Sequence, residues 1–278
     1  MIKIDKPGFY TTIQDGGRFG FRNYGVPVSG AMDRIAYNQG NQLLGNSQNA
    51  ASLEITMTGP SLVFEKNTAI AITGAFMTPK INDLLVLNNQ VLIVNEGDTL
   101  SFGKPVKGFR AYLAVSGGFL TDEVLGSRSF MKNITKSDTL KENEYLAIGE
   151  FNREIPQLTG NQDTSYLEEE TIYILKGPEF ELLTDEQKEA IFHTTFSVSK
   201  DNNRMAYQLN QLVAPHNHSM LTSATIPGTV QLTPQGKLII LMRNGQTTGG
   251  YLRIFQLTER SISVLAQKKS TDQLRFKM

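Results

Sequence analysis

The feature that most constrains this chain is a succession of short apolar–polar alternations, each ended by a tight-turn pair. Leu53, Ile55 and Met57 alternate with Glu54 and Thr56, the period-2 pattern of a strand with one face buried. Comparable strand segments are 61–64, 69–73, 91–94, 110–115, 171–175, 229–232, 237–242, 253–257 and 261–265. Gly59-Pro60, Asn88-Asn89, Glu96-Gly97-Asp98 and Pro234-Gln235-Gly236 punctuate them as turns. Many short strands with such punctuation predict barrels or sandwiches rather than βαβ units. Helices are few. Residues 31–44 place Met32, Ile35, Ala36, Gln39 and Leu43 near one face, with Ser29 as N-cap and Gly45 at C′. Thr184-Asp185-Glu186-Gln187 has capping-box form and predicts a short helix through about Phe192, and residues 202–209 a third short turn.

Between Glu150 and Glu170 the pattern breaks into Pro, Gly, Asn and Gln, then an acidic run. This reads as a linker, giving an N-terminal domain over 1–160 and a C-terminal domain over 161–278. A chain of 278 residues supports two medium domains without metal or disulfide.

Composition narrows the chemistry. Lys+Arg 27 balance Asp+Glu 27, so there is no basic excess for nucleic acid. With no cysteine, thiolate metal sites and thiol nucleophiles are excluded, and only His193, His216 and His218 could supply imidazole. His216-Asn217-His218 reads as a polar loop rather than a metal site, so no metal is expected. The apolar runs are far shorter than the ~18 residues of a membrane span, and the first residues lack secretory-signal form, so a cytoplasmic location without membrane contact is expected. No dinucleotide fingerprint or nucleophile elbow occurs. Gly97 to Gly103-Lys104-Pro105 misses the phosphate-loop pattern by one residue and by a proline in place of Ser/Thr.

Two segments carry paired glycines among polar side chains. One is Thr11-Thr12-Ile13-Gln14-Asp15-Gly16-Gly17-Arg18-Phe19-Gly20, followed by Gly25-Val26-Pro27-Val28-Ser29-Gly30-Ala31-Met32-Asp33. The other is Gln246-Thr247-Thr248-Gly249-Gly250-Tyr251. Glycine lets backbone approach a ligand, and the neighbouring hydroxyl, amide, carboxylate and guanidinium groups can grip a small polar molecule. Tight turns at barrel rims would use the same residues.

These segments resemble the signature of the biotin-dependent carboxyltransferase family, also called allophanate hydrolase subunit 2, which includes the C subunit of 5-oxoprolinase and the KipA-like antagonists. Further matches run the length of the chain: Asn41-Gln42-Leu43-Leu44-Gly45-Asn46, Leu53-Glu54-Ile55-Thr56, Thr73-Gly74-Ala75, the run from Gly108 to Gly118, Gly126-Ser127-Arg128-Ser129, Asn203-Arg204-Met205 and the run from Ile226 to Gln231. The resemblance implies two cyclophilin-like β-barrel domains, in agreement with the mainly β, two-part reading. It implies a component that opens 5-oxoproline to glutamate with ATP, ATP being bound by a partner or within the complex. The partners implied are a B-type (KipI-like) subunit and an A-type subunit. Two other functions occur in the family: a regulatory KipA-like protein that binds its partner without catalysis, and a carboxyltransferase that uses biotin on a separate carrier. No Met-Lys-Met biotin-attachment sequence occurs in this chain.

The site residues carried by the matched motifs follow from that chemistry. A lactam acid needs a guanidinium for its carboxylate, and Arg18, Arg110, Arg128 and Arg204 are the matched candidates. Asp15 and Glu54 are the candidate general bases, and Asp33 is read as structural. Thr247, Thr248, Gly249 and Gly250 are candidates for stabilising an oxyanion. Gln14, Tyr112, Gln231, Gln246 and Tyr251 complete the expected binding set. The chain departs from the family pattern at Ala206, Gln208, Ala224, Asn244 and Leu252. Each departure removes charge or backbone freedom expected of relatives.

Overall fold

Strand Ser52–Thr56 is buried at every position, not on one face only. Leu53 and Ile55 enter the main apolar core, while Glu54 points the other way and accepts the backbone N–H of Met32 at 2.8 Å. The computed structural model describes residues 1–151 and 163–278. Within them the chain divides into two units: residues 1–18 with 29–168, and residues 19–28 with 169–278. The domain boundary read from sequence, between 160 and 161, lies outside the described residues.

The first unit is built from two antiparallel sheets. The five-stranded sheet orders Tyr10–Gln14, Ser52–Thr56, Lys107–Val115, Thr68–Phe76 and Val91–Val94. The six-stranded sheet includes Ile2–Lys6, Ser61–Phe64 and Thr99–Ser101. Their inner faces supply one core of Ile2, Ile4, Leu53, Ile55, Leu62, Phe64, Ile70, Ile72, Leu113 and neighbours, nearly all without solvent exposure. Each such side chain contributes roughly 1.5–3 kcal/mol by leaving water. Helix α1, Arg34–Leu43, lies against strands Thr68–Phe76 and Lys107–Val115 and buries Ala36, Tyr37, Gly40 and Leu43.

Helix α1 begins three residues later than the sequence predicts, because Asp33 rather than Ser29 is its N-cap. The Asp33 carboxylate accepts the N–H groups of Ile35 and Ala36 at 2.9 and 3.1 Å, the standard way of satisfying orphan donors at a helix start. Ser29 instead sits at φ 55° in the turn before it. Gly45, with φ 65°, follows the last helical turn as expected.

In the second unit seven strands close a barrel: Thr171–Lys176, Leu252–Leu257, Thr229–Leu232, Lys237–Leu241, Ala206–Leu212, Phe196–Asn202 and Gln273–Lys277. The first and last of these pair in parallel, Ile172 opposite Phe276, and that pairing closes the ring. Phe180, Phe255, Phe276 and Phe196 form a chain of ring contacts at centroid spacings of 5.5 to 6.1 Å. Helix α2, Asp185–His193, opens with the predicted capping box, Thr184 and Gln187 each accepting the other's backbone N–H.

Two expectations fail here. The turn expected at 202–209 is the junction of two barrel strands. Conversely, the strand expected at 261–265 is helix α3, Glu259–Ala266, capped by Thr258. The run Ser261-Ile262-Ser263-Val264 alternates like a strand, yet both its polar and apolar members are buried, so period 2 marked no solvent face. Among the described residues no helix is long and apolar enough to cross a membrane.

Candidate functional site

Three polar clusters contain the residues singled out by sequence, two in the first unit and one in the second. The first is centred on Asp15, which is 1% exposed. Its Oδ1 accepts from Gly17 N at 2.9 Å, Ser127 Oγ at 2.7 Å and Ser129 Oγ at 2.6 Å, and its Oδ2 accepts from Arg128 N at 2.6 Å. Four donors fix the carboxylate in place, and through them it binds the glycine turn to the Ser127–Ser129 segment. Arg18, wholly buried, donates to the carbonyls of Val124 at 2.9 Å and Ser129 at 3.0 Å. Burial lowers its pKa and the Asp15 charge opposes that effect. Arg128 donates to the Thr121 carbonyl and lies 3.8 Å from Glu123. Gln14 donates to Thr12 Oγ1 and to the Phe130 carbonyl. Sequence reasoning singled out Asp15, Gln14, Arg18 and Arg128, which the structure gathers here. It missed Ser127 and Ser129 as the hydroxyls that hold Asp15, although both stand in the quoted motif.

The second cluster joins Glu54, Tyr112, Arg110 and Asp33. The Tyr112 hydroxyl donates to Glu54 Oε2 at 2.7 Å and accepts Asp33 N–H at 2.8 Å. Glu54 and Tyr112 meet because strands Ser52–Thr56 and Lys107–Val115 pair with these two residues directly opposite. Arg110 Nε lies 3.9 Å from Glu54 Oε1, and its guanidinium carbon lies 4.9 Å from the centre of the Phe109 ring. Tyr166 donates to Asp33 Oδ2 at 2.6 Å. Burial, with the Glu54 and Asp33 charges behind it, pushes the Tyr112 phenol well above its usual range, so it is a neutral donor at ordinary pH.

The third cluster, in the second unit, surrounds Gln246-Thr247-Thr248-Gly249-Gly250-Tyr251. Thr248–Gly249 pairs with Ser223–Ala224. Thr225 donates through N to the Thr247 carbonyl at 3.0 Å and through Oγ1 to the Gln246 carbonyl at 2.6 Å. A Cβ on Gly249 would meet Gln231 Nε2 at 2.5 Å and Gln246 Nε2 at 3.2 Å, so glycine is what lets both amides approach this backbone. A Cβ on Gly250 would meet open space, and Tyr251 is 42% exposed. Arg204, nearly buried, donates to Asn244 Oδ1 at 3.4 Å. Sequence reasoning overlooked Arg22, whose guanidinium donates to the Thr225 carbonyl and, at 3.5 Å, to the Thr247 carbonyl. Only its place in the glycine-rich opening segment could have flagged it.

His216 remains in a loop, its Nδ1 accepting His218 N–H at 3.1 Å and its Nε2 facing the Leu232 carbonyl at 3.3 Å. Among the described residues no group of three His, Cys, Asp or Glu side chains could hold a metal ion.

The fold is that of a known class. Residues 24–278 match the carboxyltransferase domain, subdomain A and B, and the chain belongs to that family. Within it, the chain is homologous to the 5-oxoprolinase C subunit of Escherichia coli (strain K12), with 35% identity over 273 residues, 96% of this chain and 87% of that one. The crystal structure of TTHA0988 aligns over 100% of this chain with a TM-score of 0.90 and 25% identity, and this chain spans only 55% of it. The urea carboxylase of Kluyveromyces lactis aligns over 99% of this chain with a TM-score of 0.86 and 26% identity, this chain spanning 27% of it.

Proposed function

We propose that this chain is the C-type component of an ATP-dependent lactam hydrolase that opens 5-oxoproline to glutamate together with A-type and B-type (KipI-like) partner subunits in the cytoplasm. The observation that carries the reading is the 35% identity to the 5-oxoprolinase C subunit over 96% of this chain and 87% of the relative. An amide resists water because its nitrogen shares electrons with the carbonyl. Transfer of the γ-phosphoryl group of ATP to the amide oxygen, with ADP leaving, removes that resistance. Water then adds to the carbon, and the ring C–N bond breaks as the nitrogen takes a proton. A second water splits the resulting acyl phosphate to glutamate and phosphate.

The chain's own residues divide the work. Asp15, saturated by four donors, acts as a scaffold for the turn at Gly16–Arg18. Glu54 and Tyr112 form a buried pair whose hydrogen bond joins a carboxylate to a neutral phenol and fixes the start of helix α1. Thr247, Thr248 and the amides of Gly249 and Gly250 supply donors to a developing oxyanion. The reading assigns ATP to a partner. The near-miss phosphate loop at 97–105 contains strand Thr99–Ser101 and leads into no helix, so it lacks the helix N-terminus that such a loop needs.

A carboxyltransferase using a separate biotinyl carrier is the second reading, favoured by the family description and by the likeness to urea carboxylase. The experiment is 5-oxoproline-dependent ATP hydrolysis by the purified chain with its partners, run beside a carboxybiotin decay assay. The lactamase reading expects the first signal to require this chain and the second to be absent. The reverse result would establish carboxyl transfer, and partner binding with neither signal would establish a regulatory, KipA-like role.

A further inference from the structure

Among the donors that the second unit buries without a hydrogen-bond partner among the described residues are Nη1 of Arg22 and Nε2 of Gln231. Gln231 is 1% exposed, on strand Thr229–Leu232, and its amide nitrogen faces the α-carbon of Gly249. A buried amide left unmatched costs about 1–3 kcal/mol, so a fold that keeps one implies something that pairs with it. Arg22 belongs to a short 3₁₀ turn, Arg22–Tyr24, within the segment 19–28 that joins this unit from far away in sequence. Its second terminal nitrogen donates to the carbonyls of Thr247, inside the Gln246–Gly249 turn, and of Thr225, which is hydrogen-bonded to that turn. The guanidinium is therefore held in place by neutral groups. Burial lowers its pKa and no carboxylate opposes that effect, unlike Arg18, which has Asp15 beside it. A guanidinium nevertheless stays charged in proteins. Its remaining donor is a cation without a counter-charge, and the Gln231 amide, which approaches the same turn at Gly249, has no acceptor.

We propose that Arg22 and Gln231 are a paired recognition device for a small cyclic amide acid, Arg22 taking the carboxylate and Gln231 the ring carbonyl. This rests on the functional reading above for the identity of the ligand, and on the two unmatched donors for the chemistry. It moves the carboxylate clamp away from the arginines singled out by sequence. Arg18 and Arg128 donate to main-chain carbonyls, Arg110 lies beside Glu54, and Arg204 donates to Asn244. Gly249 is part of the device because any side chain there would push the Gln231 amide out of place.

The test uses the full chain and three probes observed by ligand-detected NMR titration: 5-oxoproline, 2-pyrrolidinone, which lacks the carboxylate, and cyclopentanecarboxylate, which lacks the amide. Arg22→Gln should weaken 5-oxoproline and cyclopentanecarboxylate by about tenfold or more, the size expected for a charged hydrogen bond, and leave 2-pyrrolidinone unchanged. Gln231→Met should weaken 5-oxoproline and 2-pyrrolidinone and spare cyclopentanecarboxylate. Arg22→Lys should restore part of the carboxylate affinity. Equal weakening of all three probes by Arg22→Gln, or absence of carboxylate binding by the unmodified chain, would overturn the proposal. In the assembled complex, normal glutamate formation with an unchanged KM for Arg22→Gln would reject this subsite and keep the functional reading. No glutamate formation alongside the expected probe pattern would keep the subsite and reject the functional reading.

Discussion

The phenol of Tyr112 donates to Oε2 of Glu54 at 2.7 Å across two paired strands. Because the same oxygen of Tyr112 accepts the N–H of Asp33, the pair also fixes the start of helix α1. One hydroxyl thus links the buried Glu54 carboxylate with the N-cap of helix α1.

Tyr112→Phe is therefore expected to cost about 1–3 kcal/mol, since it leaves a buried N–H and a carboxylate oxygen each short of a partner. Urea denaturation measures this. The pH dependence has a definite sign. The folded-state phenol pKa is raised above its ordinary 10.0, so its contribution is fully present below pH 10 and is lost as pH rises toward the folded value. The Phe variant should lack that alkaline decline.

Asp15→Asn should destabilise the first unit more than either Ser127→Ala or Ser129→Ala. The amide places a donor against Gly17 N, Ser127 Oγ, Ser129 Oγ or Arg128 N, whichever side it faces. It also leaves the buried Arg18 without a nearby negative charge. A loss of about 3 kcal/mol is expected for Asp15→Asn and about 1 kcal/mol for each serine change, read from denaturant midpoints.

Glu179 and Arg253 predict an acid-side transition in the second unit. Arg253 Nε and Nη2 bind the two oxygens of Glu179 at 2.9 and 2.7 Å, and this holds the carboxyl below its ordinary 4.5. A depressed carboxylate contributes stability above its unfolded-state pKa and loses it as pH falls through the folded value. The melting temperature should fall from about pH 4.5 downward, and Arg253→Gln should flatten that fall.

The neighbouring glycines should separate. Gly250→Ala meets open space and should leave stability within about 0.5 kcal/mol. Gly249→Ala drives a methyl into Gln231 Nε2 and Gln246 Nε2, the ends of flexible side chains, so the fold should survive while the Gln231 amide moves. Gly236→Ala, with φ +85° and a Cβ 2.0 Å from the Val213 carbonyl oxygen, should be the most damaging of the three. Thermal melts of the three variants check the order.

How much of this was legible in the sequence depended on how local each signal was. The capping box at Thr184–Gln187 and the strand at Ser61–Phe64 are written in adjacent residues and fold as expected. Helix α1 was legible in kind but not in its start, because Ser29 and Asp33 are both competent caps and only the Tyr112 and Tyr166 contacts select Asp33. Helix α3 was misread because Ser261 and Ser263 are buried polar residues, and period 2 separates faces only when one of them meets water. In the candidate site, the motif residues were legible in the sequence but the clusters they form were not. Asp15 is satisfied by hydroxyls more than a hundred positions away. Arg22 becomes visible only once its segment joins the second unit.

The most direct measurement of the central claim is glutamate formation from 5-oxoproline and ATP by the complete set of partners, compared with the same mixture lacking only this chain. A C-type role in a 5-oxoprolinase predicts that glutamate accumulates in the complete mixture and is restored to the depleted one when the purified chain is added back. Equal glutamate in both mixtures, or none in either, would contradict it.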